Sequence, residues 1–207
     1  MAGVSSLDHW YALPVLSGRL IRLEPLALEH APGYLAAGSG DDAVEVFRWM
    51  YPAAPQTVAD AERDILVALG ARARGERFAY AQFDVATGQF AGTSSYYEVH
   101  PALRTLGIGH TWLGRAWWRT GHNTESKLLM LTHAFDTLAA ARVVWHTDIN
   151  NTRSQQAIAR LGATREGELR KHRLRRDGSW RTSVQYSMTD DDWPAVRDRL
   201  TERLAAG

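Results

Sequence analysis

The sequence predicts a mixed α/β fold, a single sheet with helices on both of its faces. Three observations carry that reading. The 207 residues include 45% hydrophobic and 23% charged side chains, which supply one sizeable core. Strand-like alternation and helix-like periodicity take turns along the chain, with no repeat, low-complexity stretch or linker long enough to divide it. Two consecutive strand patterns, 105–112 and 142–148, each run into a polar loop and a helix start. In an α/β sheet such loops gather a ligand at the carboxyl ends of the strands.

The elements follow in order. Residues 1–10 are small and polar and predict a tail, taken here through residue 15, with one domain over 16–207. Residues 19–25 alternate as a strand, with Leu20 and Ile21 on opposite faces, and 28–37 read as a short helix. A longer helix spans 57–74: Thr57 caps it, Ala61, Ile65, Ala68 and Leu69 form its apolar stripe, and Gly75 closes it. Residues 78–84 and 90–99 form a hairpin across Ala86-Thr87-Gly88, and 105–112 adds a third strand. The helix over 124–138 carries Leu128, Leu131, Phe135 and Leu138 on one side. After the strand at 142–148, the run Asn150-Asn151-Thr152-Arg153-Ser154 caps a helix that ends at Leu161-Gly162. A last hairpin, 163–174 and 180–188, turns through Arg176-Asp177-Gly178, and 190–204 reads as a terminal helix with Asp190 or Asp191 near its cap.

The stretch from Trp112 to Thr124, WLGRAWWRTGHNT, has the makings of an anion site. Gly121 is expected to take φ > 0 and bring backbone close to a ligand, while the unpaired N–H groups of the first helical turn point outward. A pyrophosphate suits that geometry.

These residues resemble a known family. Trp112-Leu113, the loop Arg119-Thr120-Gly121-His122-Asn123-Thr124-Glu125, Asp148 followed by Asn151 and Ser154, then Arg160-Leu161-Gly162-Ala163 and Glu166-Gly167 look like a GCN5-related N-acetyltransferase (GNAT). Within that superfamily the chain is similar to the RimL and RimJ branch, which acetylates ribosomal-protein N-termini. The likeness runs over residues 16–196 and is strongest over 107–187. It implies a mixed, mostly antiparallel central sheet with helices on both faces, and acetyl-CoA as the cofactor.

Composition bounds the function. A net charge of +1 gives no general argument for nucleic-acid binding. The absence of cysteine removes disulfides, a thiolate nucleophile and Cys-ligated metal. No apolar run approaches a membrane span, and the N-terminus lacks the basic-then-apolar order of a signal peptide, so a cytoplasmic protein is expected.

Acetyl transfer from a thioester to an amine needs a cofactor grip, removal of a proton from the ammonium and a proton for the leaving thiolate. The resemblance assigns the grip to the backbone of Arg119, Thr120, Gly121, His122, Asn123 and Thr124 for pyrophosphate. It assigns Thr111, Trp112 and Leu113 to pairing with pantetheine, and Asn151 to its amide groups. The family loop follows Q/R-x-x-G-x-G/A; aligned on Gly121, its first position is Ala116 and its first glycine is Arg119, whose side chain can itself contact phosphate. Many members carry a tyrosine acid seven residues after the helix-starting Asn, where this chain has Ile158, and the RimL-like branch points instead to the Ser154 hydroxyl. The base is open among Glu98, His100, His110 and Asp148, with Glu98 preferred, or a water relay.

Phe47, Trp49, Met50 and Tyr51 fall where the resemblance places an acceptor wall, and Tyr96 and Tyr97 lie on a strand running past it; Trp49, Tyr51 and Tyr97 are the acceptor candidates. Of the adjacent pair Trp117 and Trp118, one is expected to face away from the core, over the cofactor or a partner. Arg170, Lys171, Arg173, Arg175 and Arg176 make a basic hairpin, either a solvated face or an attractor for an acidic acceptor, a ribosome surface or cofactor phosphates. The leading reading is an acetyl-CoA-dependent N-acetyltransferase acting on a protein N-terminal α-amine or a small amine. An acyl-CoA-binding regulatory module with little turnover and a transferase using another acyl donor stay open, as does a homodimer.

Overall fold

The computed structural model describes residues 8–206. Eight strands form one sheet in the order β1-β2-β3-β4-β5-β6-β8-β7. They are β1 (Leu16–Ser17), β2 (Ile21–Pro25), β3 (Arg77–Asp84), β4 (Phe90–His100), β5 (Thr105–Leu113), β6 (Arg142–Asp148), β7 (Thr164–Leu174) and β8 (Trp180–Thr189). All neighbours are antiparallel except β5 and β6, which are parallel. The helices are α1 (Ala31–Gly38), α2 (Ala43–Phe47), α3 (Val58–Ala73), α4 (His122–Thr132), α5 (Thr152–Leu161) and α6 (Trp193–Ala205).

Side-chain alternation splits the core into two layers. On β3, Phe78 and Tyr80 join a cluster with Leu106, Ile108, Val143 and Trp145, covered by Met130 and Leu131 of α4, Ile158 and Leu161 of α5 and Leu200 of α6. Ala79 and Ala81 face the other way, into Phe47, Ala61, Ile65, Phe90 and Trp112 beneath α1–α3. Each large apolar side chain buried this way stabilises the fold by about 1.5–3 kcal/mol.

Local signals set most boundaries. Thr57 and Asp60 form a reciprocal capping box at α3, and Gly162 ends α5 at φ +98°. Differences arise where tertiary contacts decide. The stretch before the hairpin holds three helices, not two, because Ala43, Val46 and Phe47 bury the short α2. Leu20 lies outside β2: the buried Glu125 carboxylate accepts the Arg19, Leu20 and Ile21 N–H groups at 3.0, 2.6 and 2.8 Å, pinning that turn to α4. The α4 helix starts at His122, earlier than expected, and runs on through a π-helical turn, His133–Thr137. Asp192, not Asp190 or Asp191, precedes α6 and accepts from the Thr189 N–H at 2.9 Å. Of the expected tail, residues 1–7 lie outside the described residues, while Trp10 and Leu13 dock in the core.

Candidate active site

β5 and β6 pair only at Thr105–Arg142, Leu106–Val143 and Gly107–Val144. Beyond that point both strands continue without bonding to each other, so the middle of the sheet opens into a cleft that exposes the backbone edge of β5. The N-termini of α4 and α5 stand at its open end, each presenting unpaired N–H groups and the positive end of its dipole. Splayed strands and paired helix starts together form a slot for an extended molecule with an anionic end.

The expected cofactor residues flank this slot. Thr111, Trp112 and Leu113 form the diverging end of β5, with Trp112 and Leu113 buried. Arg119 and Thr120 are exposed in the following loop; Gly121 caps α4, and His122, Asn123 and Thr124 make its first turn. Gly121 does not take the expected positive φ: its φ is −69°, and a Cβ there would stand 2.6 Å from Leu20 Cδ1, so that side chain would have to turn aside. The left-handed conformation falls instead on Arg119, at φ +60°, the position aligned with the missing glycine. Asp84 anchors the loop, accepting from Trp117 Nε1 at 3.0 Å and His122 Nε2 at 2.9 Å. Burial opposes its charge, but these bonds and the Thr87 amide bring its pKa down to about 2.

Both tryptophans of the loop are anchored, contrary to the expectation that one faces away. Trp118 Nε1 donates to the Leu113 carbonyl at 2.7 Å, and both rings pack against the core, because the 3-10 turn Arg115–Trp117 directs successive side chains apart. The guanidiniums of Arg153 and Arg115 lie 3.9 and 4.6 Å from the Trp118 ring, bridging the two loops across the slot.

On α5, Asn151 Oδ1 accepts the Ser154 N–H at 3.0 Å, an N-cap, and Ser154 is half-buried in the first turn. Ile158 faces the core. Asp148 is committed elsewhere: Arg175 grips both its oxygens at 2.7 and 3.1 Å. Burial works against its charge, and the Arg175 bonds overcome that to hold its pKa below the usual carboxylate value.

The sheet face opposite α4–α6 carries a polar cluster. Gly107 and Gly109 leave room for the Tyr97 ring: a Cβ on either would stand 2.6 or 2.8 Å from it. Lying across β5, the ring brings its hydroxyl to 2.8 Å from His146 Nδ1 on β6, where the strands begin to part. Glu98, at φ +49° in a β4 bulge, pairs with Arg173 at 2.9 Å and lies 3.9 Å from His146. His110 sits exposed on the β5 bulge, at φ +50°, its ring 5.8 Å from that of Tyr97. His100 is exposed at the far end of β4.

The segment expected to form an acceptor wall is only partly enclosed. Trp49 and Met50 are half-buried, Phe47 lies inside the core, and Tyr51 is 76% exposed, so it turns away from any enclosed wall. Arg176 donates to the Pro52 carbonyl at 3.2 Å, tying the β7–β8 hairpin to that segment. With Arg173 and Arg175 paired as well, these three arginines are tied into the site, while Arg170 and Lys171 of the basic hairpin stay exposed.

His146, Gln185, Asp84 and Lys127 were not among the sequence candidates. The one signal for the first was Gly107-x-Gly109, two glycines on one strand face, which announces a side chain crossing it. Among the described residues no cluster of metal-ligating side chains occurs.

Comparison with known proteins fits this geometry. Residues 20–164 match the acetyltransferase (GNAT) domain family. The chain is 26% identical over 129 residues to the ribosomal protein uS5 alanine N-acetyltransferase of Escherichia coli (strain K12), a match spanning 60% of this chain and only 63% of that relative. A GCN5-related N-acetyltransferase from Brucella melitensis has a TM-score of 0.88 at 29% identity, over 93% of this chain and 86% of its own. RimJ of Mycobacterium smegmatis, solved in complex with CoA-disulfide, shares the fold with a TM-score of 0.74 at 22% identity over 92% of each chain. A profile match over most of the sheet, together with the slot between the two helix starts, places the protein: the chain belongs to the GNAT acetyltransferase family.

Proposed function

We propose that the protein is an acetyl-CoA-dependent N-acetyltransferase whose acceptor is a primary amine, foremost the α-amine of a protein N-terminus, in the cytoplasm. The observation that carries this reading is the slot between the diverging halves of β5 and β6, with a helix N-terminus on either side. The residues present fit the cofactor. The open β5 edge at Thr111–Leu113 suits amide groups of pantetheine, and the Arg119–Thr124 backbone with the nearby Arg115 and Arg153 suits phosphates. Acetyl-CoA supplies the acetyl group as an activated thioester.

The chain's own residues supply the rest. Asn151 holds the cofactor's polar groups through its carboxamide nitrogen while its oxygen caps α5. Ser154, one turn along, donates toward the departing sulfur. Trp49 and Tyr97 face the acceptor, and Glu98, paired with Arg173, supplies negative charge beside His146. Like the E. coli relative, an alanine N-acetyltransferase, this protein would take peptides with a small first residue.

Calorimetry with acetyl-CoA tests the reading. Micromolar affinity is expected, on the order of −8 kcal/mol. Asn151→Ser keeps a capping oxygen and removes the carboxamide, so it is expected to weaken binding by about 1–3 kcal/mol with little change in melting temperature. No binding by the parent protein would overturn the proposal; binding without transfer to any amine would favour the regulatory module.

A further inference from the structure

We propose that Tyr97 and His146 form a proton relay that takes the acceptor's proton from the slot and delivers it to a solvent cavity on the same face of the sheet, the one opposite α4–α6. This rests on the transferase reading above and names the base within it.

Hydrogen-bond direction along the chain of contacts is fixed from one end. Glu166 is held by Arg142 and by Ser187 Oγ at 2.8 Å, and the Arg142 bonds bring its pKa down to about 2. A carboxylate only accepts, so Gln185 Nε2 donates to it at 2.8 Å. The Gln185 carbonyl oxygen therefore faces His146 Nε2 at 3.0 Å and accepts its N–H. His146 Nδ1 is left as a lone pair, and the Tyr97 hydroxyl, 2.8 Å away, donates into it. The phenol oxygen also receives the His146 backbone N–H and keeps its remaining lone pair for an ammonium N–H.

Position and charge agree. Tyr97 stands opposite Gly107, the last β5 residue paired with β6, and His146 lies two residues past the matching Val144. Behind them a cavity of about 300 Å³ is lined by Glu98, Thr105, Arg142, Val144, His172 and Gln185. His146 faces Glu98 from β4, His172 and Arg173 from β7, and Arg181 from β8, which donates to its carbonyl at 3.0 Å. Burial lowers its pKa from the usual histidine value, so the ring is neutral at pH 7 and ready to accept.

The step balances without a further reactant. The ammonium N–H bond breaks as its proton joins the Tyr97 oxygen; the original Tyr97 proton moves to His146 Nδ1. The products are a neutral amine with a free electron pair, an unchanged phenol and an imidazolium beside Glu98. Water in the cavity then removes the proton.

The test compares Tyr97→Phe, His146→Gln and the double variant with the parent enzyme on acetyl-CoA and a hexapeptide beginning with alanine. Each single change is expected to lower kcat at pH 7 about 10²-fold, with acetyl-CoA KM unchanged, and the double variant to lose no more than the worse single. Parent kcat should be flat above pH 7. Variant kcat should climb tenfold per unit toward the α-amine pKa of about 8, where free amine replaces the relay. In the unliganded protein, ¹⁵N NMR should show His146 protonated on Nε2. Additive losses, losses equal at every pH, unchanged kcat or an Nδ1–H tautomer would overturn the relay alone. A parent enzyme that neither binds acetyl-CoA nor acetylates the peptide would overturn the transferase reading and the relay with it.

Discussion

Backbone strain at single residues clusters around the slot. Among the described residues six non-glycine positions have positive φ, and Glu98, His110, Arg119 and Lys171 among them lie on the strands and loop of the site. Such conformations persist where surrounding contacts enforce them, and they collect at functional sites. Arg119 is the informative case. A left-handed arginine costs about 1–2 kcal/mol, whereas glycine at that position gives back about 0.4–1 kcal/mol through unfolded-chain entropy. Arg119→Gly is therefore expected to raise stability by about 0.5–1 kcal/mol in a denaturant melt; a loss of stability would mean that the guanidinium's own contacts outweigh the strain. The loop was legible as an anion site because it needs only local chemistry. Which residue bears positive φ was not, since Leu20, a hundred residues upstream by about that measure, fills the space beside Gly121.

Among the elements, α4 carries the least expected group. Lys127 is buried on its inner face, its ammonium 2.6 Å from Ser94 Oγ on β4 and 2.9 Å from Thr111 Oγ1 on β5. Among the described residues no carboxylate contacts it, and burial lowers its pKa from 10.5 to about 7. Between those values the unfolded chain holds a proton that the folded chain lacks, so stability rises with pH from about 7 to about 10.5 and levels off above. Lys127→Met is expected to flatten that slope and to add about 1–2 kcal/mol at pH 7, read by urea melts at several pH values. An unchanged slope would place the titration elsewhere. Sequence reading located α3, α5 and the two hairpins because caps and turn residues are local: Thr57, Gly162, Gly88 and Gly178 all act within a few residues. It missed α2, whose five residues are held by burying Val46 and Phe47, and it did not foresee Lys127 spanning β4 and β5.

At the scale of the whole molecule, function follows from one irregularity in the sheet. A lone parallel pair, β5 with β6, separates after three residue pairs, and the two helices that follow these strands begin at the gap. The strand-loop-helix repeats gave both loops in the sequence, so the cofactor side was readable there. The proposed acceptor side depends on Tyr97 crossing β5 to meet His146, a contact between residues 49 positions apart in the sequence, and nothing local encodes it. The direct measurement is mass spectrometry of a hexapeptide with N-terminal alanine, incubated with the protein and acetyl-CoA, beside the same peptide with its α-amine blocked. A mass increase of one acetyl group on the free peptide alone, with stoichiometric release of CoA thiol, is the expected result. Unmodified peptide together with no calorimetric binding of acetyl-CoA would contradict the assignment of the slot.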